Sequence, residues 1–206
     1  PATVADGKLE LTAPNGTRVS LIEANPPLNI PNVKQTFVLS KMSDTDQWSE
    51  GRAGMRYRDL IPDRQGGYAV ASHIRILEGG PVPDYVHYHK ILFQMIYCYK
   101  GWARLVYEDQ GEPFIIEAGD CVLQPPHIRH QVLESSQGME VIELTCPADH
   151  ETCVDHELEL PTSSVNPERL FNEQHFIRHE AAKAEWKPWR MEGFEARDIG
   201  IASATD

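Results

Sequence analysis

The most constraining feature of this sequence is a series of short, strand-like segments between Met55 and about Cys146. Turn clusters such as DRQGG, EGGPVPD and DQGE separate the segments, and no helical period appears between them. Eight segments of four to eleven residues fit this description: MRYRDLI, YAVASHIRILE, LFQMIYCY, ARLVYED, PFIIEA, CVLQ, HQVLE and MEVIELTC. Short strands at close, regular spacing are typical of a β-sandwich or a small closed barrel, so we expect an all-β domain.

Chain length indicates what surrounds this domain. A chain of 206 residues suits one compact domain with extensions. We expect residues 1–53 to form an N-terminal strand-rich extension, residues 54–146 the barrel, and residues 147–206 a C-terminal wrapping segment. Strands in the extension are predicted at KLELTA, TRVSLIE and KQTFVLS. The best helix candidate is RHEAAKAEW (178–186), because its Ala, Glu and Lys residues favour a short C-terminal helix.

Two segments of the chain resemble each other. GMRYRDL (54–60) is similar to GFEARDI (193–199), and a tryptophan precedes each copy, Trp48 and Trp189. The first copy leads into the predicted barrel. We therefore interpret the second copy as the start of a second barrel repeat in a duplicated protein. The alternative is a chance match between two amphipathic strands.

Charge and composition exclude several partners. The net charge of −12 and the lack of a Lys/Arg cluster argue against nucleic acid, because an acidic surface repels phosphates. No apolar segment approaches the roughly 20 residues that cross a bilayer, and no export signal begins the chain. We expect a cytoplasmic protein. Its four cysteines form no CxxC pair, so we expect them to be free thiols. Cys146 and Cys153 fit either a weak metal site or a polar loop.

A group of histidines carries the chemistry of the predicted barrel. Side chains alternate along a strand, so His87 and His89 point to the same face, roughly 7 Å apart. Gln94 follows on the next strand with the parity to face the same way, and His130 opens a later strand. Three converging imidazoles leave open coordination positions on a metal, as catalysis requires. The alternative is that His87 and His89 are half-buried histidines satisfied by hydrogen bonds.

The spacing of these residues resembles the two motifs of the cupin superfamily. In the first motif, His-x-His is followed by a glutamate and a glycine; here Gln94 stands in the glutamate's place and Gly101 is the glycine. In the second motif, a glycine precedes five residues, a proline and then a histidine. Gly119, Pro125 and His130 match these positions.

The resemblance covers roughly residues 68–146 and departs from the family pattern at a few positions. His127 replaces the internal glycine of the second motif, and Glu134 replaces its asparagine. The replacement of the motif's glutamate by Gln94 matters more, because a glutamate brings one negative charge to the metal site and an amide brings none. The metal would keep its full charge against three neutral imidazoles and act as a stronger Lewis acid. Gln94 either binds the metal through its carbonyl or hydrogen-bonds a bound water.

The resemblance implies a double-stranded β-helix, the cupin jelly-roll barrel, that holds one divalent metal with His87, His89, Gln94 and His130. Three-histidine cupins of this pattern include iron dioxygenases of the gentisate and salicylate type, so Fe(II) is favoured. Zn, Mn and Ni stay open, because imidazole suits all of these metals. Cupin-like proteins commonly pair through edge strands, so we expect a homodimer.

Three functions fit such a site. The first is a mononuclear Fe(II) dioxygenase that cleaves a small aromatic or enolisable carbonyl substrate, with Gln94 tuning the iron. The second is a non-redox isomerase, cyclase or lyase in which Glu134 or a tyrosine moves a proton; Tyr85 shares the parity of the histidines. The third is a non-catalytic ligand-binding cupin. Arg75 is either an anchor for a substrate carboxylate or a solvated or interface arginine.

Overall fold

The N-terminal extension forms a small sheet of its own. The computed structural model of the protein describes residues 2–5, 8–21, 27–41 and 48–205. Three antiparallel strands pair in chain order: β1 (Ala2–Ala5), β2 (Lys8–Thr12) and β3 (Arg18–Leu21). The end of the predicted strand TRVSLIE, residues 22–23, lies outside the described residues.

The third strand predicted in this extension, KQTFVLS (34–40), is not a strand. It lies against the barrel through irregular contacts instead. The N–H of Lys34 donates to the carbonyl of Gln65 at 2.9 Å, and Arg58 donates to the Ser40 hydroxyl at 2.9 Å. These are single contacts without a ladder of backbone bonds, so the β propensity of the segment is not expressed as a strand.

The central part of the chain is a barrel of antiparallel strands. Its strands and edge segments are β4 (Ser49–Glu50), β5 (Met55–Asp59), β6 (Val70–Ile76), β7 (Gly80–Pro81), β8 (His87–His89), β9 (Phe93–Lys100), β10 (Trp102–Tyr107), β11 (Phe114–Glu117), β12 (Cys121–Leu123), β13 (His130–Ser135) and β14 (Met139–Cys146). One sheet contains the order β6-β14-β9-β12, and the other contains β8-β13-β10-β11. This order is that of a jelly roll, so the predicted all-β jelly-roll fold is confirmed.

One strand of the barrel wall is very short. The segment MRYRDLI forms β5, which pairs with β6 and with the edge strand β4. The eighth barrel strand is the three-residue β8, His87–His89 itself. The histidine pair is therefore part of the barrel wall, and pairing on both sides fixes its backbone.

The C-terminal segment extends both barrel sheets. Its elements are β15 (Thr152–Val154), β16 (Leu170–Phe171), β17 (Gln174–His175), β18 (Ile177–His179), β19 (Lys187–Pro188), β20 (Glu195–Ala196) and α1 (Ile201–Thr205). Strand β15 pairs with β8, and β18 pairs with β12. No helix in the described ranges is long and apolar enough to span a membrane.

The helix predicted over 178–186 is wrong in position. Its first residues belong to β18, and a short 3₁₀ turn covers Ala181–Lys183. The backbone bonds of β18 with β12 outweigh the helical preference of the Ala, Glu and Lys residues. The short C-terminal helix is α1 instead. Strand β20 pairs with β19 in a hairpin, and the second barrel repeat stays a prediction.

Most of the interior of the barrel is apolar, and one outer face carries a covered polar cluster. Ile74 and Ile76 point inward, as their alternation predicts, and belong to the main hydrophobic core. His73 and Arg75 lie on the opposite face of β6. His73 bonds the Glu140 carboxylate at 2.7 Å, and the Arg75 guanidinium lies 4.4 Å from the ring centre of Trp48. Arg75 is therefore directed away from the barrel interior.

The turn between β9 and β10 generates a test of the fold. Gly101 has a φ of +75°, and a Cβ there would contact the Ser136 hydroxyl and lie 3.2 Å from the Cα of Met139. Ser136 is held in place, because its hydroxyl accepts from the Trp102 N–H at 2.9 Å. Gly138 has a similar φ of +68° but open space around it.

We expect Gly101→Ala to destabilise the protein more than Gly138→Ala. Both substitutions carry the left-handed strain of about 1 kcal/mol, and only the first adds a steric overlap of about 1–3 kcal/mol. Urea unfolding monitored by circular dichroism measures both free energies of unfolding. Equal losses in the two variants would contradict the packing of this turn.

Candidate metal centre

Three buried imidazoles converge inside the barrel. His87 and His89 lie on β8, and His130 begins β13, where it is the direct cross-strand partner of His87. The ring centres are 4.1 Å apart for His87–His130, 5.2 Å for His87–His89 and 5.3 Å for His89–His130. One nitrogen from each ring lies within 4.8 Å of the others. The described residues contain no other group of three His, Cys, Asp or Glu side chains placed this way.

Hydrogen bonds to Nδ1 indicate which nitrogen of each ring is available to bind a metal. Each Nδ1 contacts an oxygen: Tyr85 O at 2.8 Å for His87, Thr152 Oγ1 at 2.9 Å for His89, and Ile128 O at 3.0 Å for His130. A backbone carbonyl only accepts, so His130 carries the proton on Nδ1 and a lone pair on Nε2. At His87 the carbonyl of Tyr85 is closer to Nδ1 than the Arg52 guanidinium, 2.8 against 3.2 Å, which favours the same tautomer.

His87 shows most directly that the site fits a metal. Its Nε2 is buried and has no hydrogen-bond partner. A buried nitrogen that cannot reach protein groups is costly unless something else binds it. A ligating imidazole, with the other ring nitrogen held by a carbonyl, has this arrangement. The three histidines therefore fit one divalent ion, with open positions on the cavity side.

The electrostatics of the site keep the three rings neutral. Burial is the largest cause that lowers the pKa of each ring, and the positive charge of Arg52 acts in the same direction on all three. The pKa of His89 falls to about 2. A guanidinium nitrogen of Arg52 lies 3.2 Å from His87 Nδ1. Lone pairs for a metal are consequently available at neutral pH, because protons do not compete for them.

Gln94 lies inside the barrel beside the histidines but has another partner. Its Oε1 accepts from the amide of Gln124 at 2.7 Å. That oxygen has a second lone pair, so this hydrogen bond leaves one lone pair that could face a metal. Direct ligation by Gln94 stays a prediction.

Two other predicted site residues lie outside the cavity. The side chain of Tyr85 is 45% exposed and its ring meets His87 edge-on, with ring centres 6.3 Å apart; its backbone carbonyl holds His87 Nδ1. Glu134 pairs with Arg104 at 3.1 Å on the outer surface. A β-bulge is the reason: Val132 pairs with Leu105 and Glu134 with Arg104, so one extra residue shifts the parity between them. Strict alternation would place the side chain of Glu134 inside the barrel. Because of the bulge, it points outward instead.

The interior contains a cavity of about 70 Å³ next to the histidines. Most of its wall is aliphatic, with Ile74, Ile96, Leu105, Ile116, Val132 and Val141 among the lining residues. Such walls bury an apolar ligand and leave orientation to a few polar groups.

Five polar residues that the sequence interpretation missed also line this cavity: Arg52, Tyr57, Tyr107, Gln124 and Glu143. Glu143 shares the inward face of β14 with Val141, so a glutamate on an apolar face was a readable signal. Burial raises the pKa of Glu143, and the hydrogen bond from Thr145 and the positive charge of Arg52 oppose this shift in part. Arg52 lies in a 3₁₀ turn, where no periodicity predicts the direction of a side chain.

The possible metal site at Cys146 and Cys153 does not form. All four cysteines of the chain are free thiols, and the described residues show no cluster of ligands around this pair. The segment between them has a different role, because Thr152 belongs to β15 and supports His89.

We expect His87→Ala, His89→Ala and His130→Ala each to lose the metal, because each removes one of three ligands. His150→Ala is the matched control: its ring centre lies 5.4 Å from that of His89, but its Nδ1 bonds Pro147 O and it is outside the cluster. Elemental analysis after metal loading and gel filtration measures the stoichiometry. An unchanged metal content in His130→Ala would contradict the three-histidine site.

Comparison with known proteins adds distant structural similarities. The sequence matches no protein-family model and no curated protein. Similar solved structures include a Bacillus subtilis oxalate decarboxylase variant (16% identity, 61% of this chain and 32% of that chain, TM-score 0.44), KdgF from Halomonas sp. (19%, 54% and 94%, 0.44) and an RmlC-like cupin from Shewanella frigidimarina (22%, 56% and 95%, 0.45). The match thus spans about a third of the oxalate decarboxylase chain.

The sequence identities to these structures are low. The fold is therefore assigned from the features of the molecule itself. These features are the jelly-roll strand order, the His-x-His pair on β8 and the third histidine opposite it on β13. Together they describe a jelly-roll barrel with three histidines placed to bind one metal ion.

Proposed function

We propose that the protein is a mononuclear Fe(II) dioxygenase that cleaves a small aromatic or enolisable carbonyl compound bearing an acidic group. The observation that carries this proposal is a neutral three-histidine donor set beside a mainly aliphatic cavity, which His89 and His130 line. When bound, the ion supplies a Lewis-acidic redox centre with open coordination positions. The aliphatic walls exclude water and hold the carbon skeleton of the substrate.

Arg52 supports the acidic group in this proposal. Of the described residues that line the cavity, only Arg52 carries a formal positive charge. Its Nη1 donates to the buried carboxylate of Asp84 at 2.6 Å, which fixes the guanidinium beside His87. A fixed guanidinium binds a carboxylate well. Arg52 thus takes the anchoring role that the sequence suggested for Arg75, which lies on the outer face.

Oxygen uptake tests the proposal. Protein purified without air and loaded with one equivalent of Fe(II) is expected to consume O₂ with at least one member of a panel of gentisate, salicylates, catechols and β-diketones. His130→Ala is expected to consume none. Full iron loading without O₂ uptake on any substrate would contradict the dioxygenase function.

Substitution of Arg52 tests the acidic group. We expect Arg52→Gln to raise KM for the acidic substrate by about tenfold or more, because one charge-assisted hydrogen bond is lost. Arg75→Gln, on the outer face, is expected to leave KM unchanged. Steady-state kinetics measures both. Equal KM values in wild type and Arg52→Gln would remove Arg52 from substrate binding.

Glu143 favours a second candidate, a non-redox isomerase, cyclase or lyase. Its carboxyl group faces the cavity, and burial raises its pKa, so near neutral pH it is protonated to a larger extent than an ordinary glutamate. A carboxyl of this kind can act as a general acid or base beside a metal-polarised carbonyl.

The Glu143→Gln and Glu134→Gln pair distinguishes the two candidates. A non-redox enzyme loaded with Zn²⁺ is expected to turn over without O₂, and Glu143→Gln is expected to lower kcat by roughly 10²–10⁴-fold. Activity that needs the acid form of Glu143 should fall as pH rises through its raised pKa, and the variant should lose that dependence. Glu134→Gln, paired with Arg104 outside, should match wild type. A fully active Glu143→Gln would exclude Glu143 as the acid or base.

A further inference from the structure

Gln124 is a buried residue at the end of β12 that contacts three groups of the site. Its Oε1 accepts from the hydroxyl of Tyr107 at 2.8 Å. Its Nε2 donates to Gln94 Oε1 at 2.7 Å and lies 3.0 Å from Nε2 of His130. The backbone also holds it, because the N–H of Gln124 donates to the carbonyl of Gln94 at 2.9 Å.

Tyr107 fixes the orientation of this amide. Its ring is buried and stacks on that of His130, with ring centres 5.4 Å apart and an interplanar angle of 20°. Burial raises the pKa of Tyr107, so the hydroxyl keeps its proton and donates it to Oε1. The amide nitrogen must then face Gln94 and His130. The reverse orientation would place Oε1 against another carbonyl oxygen and against a lone pair.

His130 accepts this bond through the nitrogen that a metal needs. Its Nδ1 proton is donated to the carbonyl of Ile128, so its Nε2 carries the lone pair. One N–H of Gln124 goes to Gln94, and the other is available to that lone pair. His87 differs, because its Nε2 has no partner.

We propose that Gln124 is a positioning residue that competes with the metal for His130 and thereby sets the metal affinity of the site. This inference rests on the metal centre of the proposed function and holds for any divalent ion that the three histidines bind. In the metal-free protein, the amide of Gln124 occupies the lone pair on Nε2 of His130. A metal must displace this hydrogen bond to gain its third ligand. The metal therefore binds less tightly, by the free energy of the hydrogen bond between Gln124 and His130.

The Gln124→Met variant tests this competition, because methionine keeps the length of the side chain and removes its donors. We expect the Kd for Zn²⁺, measured by competition with a chromophoric chelator, to fall roughly three- to tenfold, the amount that one net hydrogen bond represents. The metal-free variant is expected to unfold at lower urea, because the Tyr107 hydroxyl and the Gln94 carbonyl lose their partner. If the role of Gln124 is merely structural, the variant should lose both zinc affinity and stability to urea. Competition instead predicts a higher zinc affinity and a lower stability.

Two further variants complete the experiment. Gln137→Met, at an exposed position, is expected to keep the wild-type Kd. Tyr107→Phe releases the orientation of the Gln124 amide and is expected to lower Kd by a smaller factor; it decides the question if Gln124→Met does not fold. An unchanged or higher Kd would overturn the proposal. Wild-type protein that binds no Zn²⁺ would instead contradict the metal centre itself, so the two failures are distinguishable.

Discussion

The direct pairing of His130 with His87 across β8 and β13 is the constraint on which the site depends. Two backbone ladders meet at these residues, since β8 lies between β13 and β15. The backbone carbonyls of Tyr85 and Ile128 then orient the two rings. The ligand geometry is therefore determined by the barrel wall, where strands hold side chains more tightly than loops do.

The cavity combines this neutral donor set with few charges. Arg52 carries the positive charge among the lining residues and Glu143 the acidic group, and the remaining wall is mostly aliphatic. Low polarity strengthens each electrostatic contact inside. The amide of Gln124 connects Tyr107 and Gln94 to His130, so a change at one of these residues is expected to alter the others.

The parts of the site that follow from alternation could be predicted from the sequence, and the parts that follow from irregular backbone could not. His87, His89 and Gln94 face inward because strand parity has a period of two. Glu134 breaks the rule because of the bulge beside it. Arg52 and Thr152 reach the histidines from a 3₁₀ turn and from the C-terminal segment. Contacts between segments so distant in sequence leave no local periodic signal.

X-ray absorption spectroscopy at the metal edge, on protein with one bound metal equivalent, tests the three-histidine site most directly. Coordination by His87, His89 and His130 predicts three imidazole nitrogens at about 2.0–2.1 Å, with the multiple scattering typical of histidine rings. All four cysteines are free thiols, so a thiolate site would give sulfur scattering at about 2.3 Å. A sulfur shell, or oxygen ligands without imidazole scattering, would contradict the three-histidine centre.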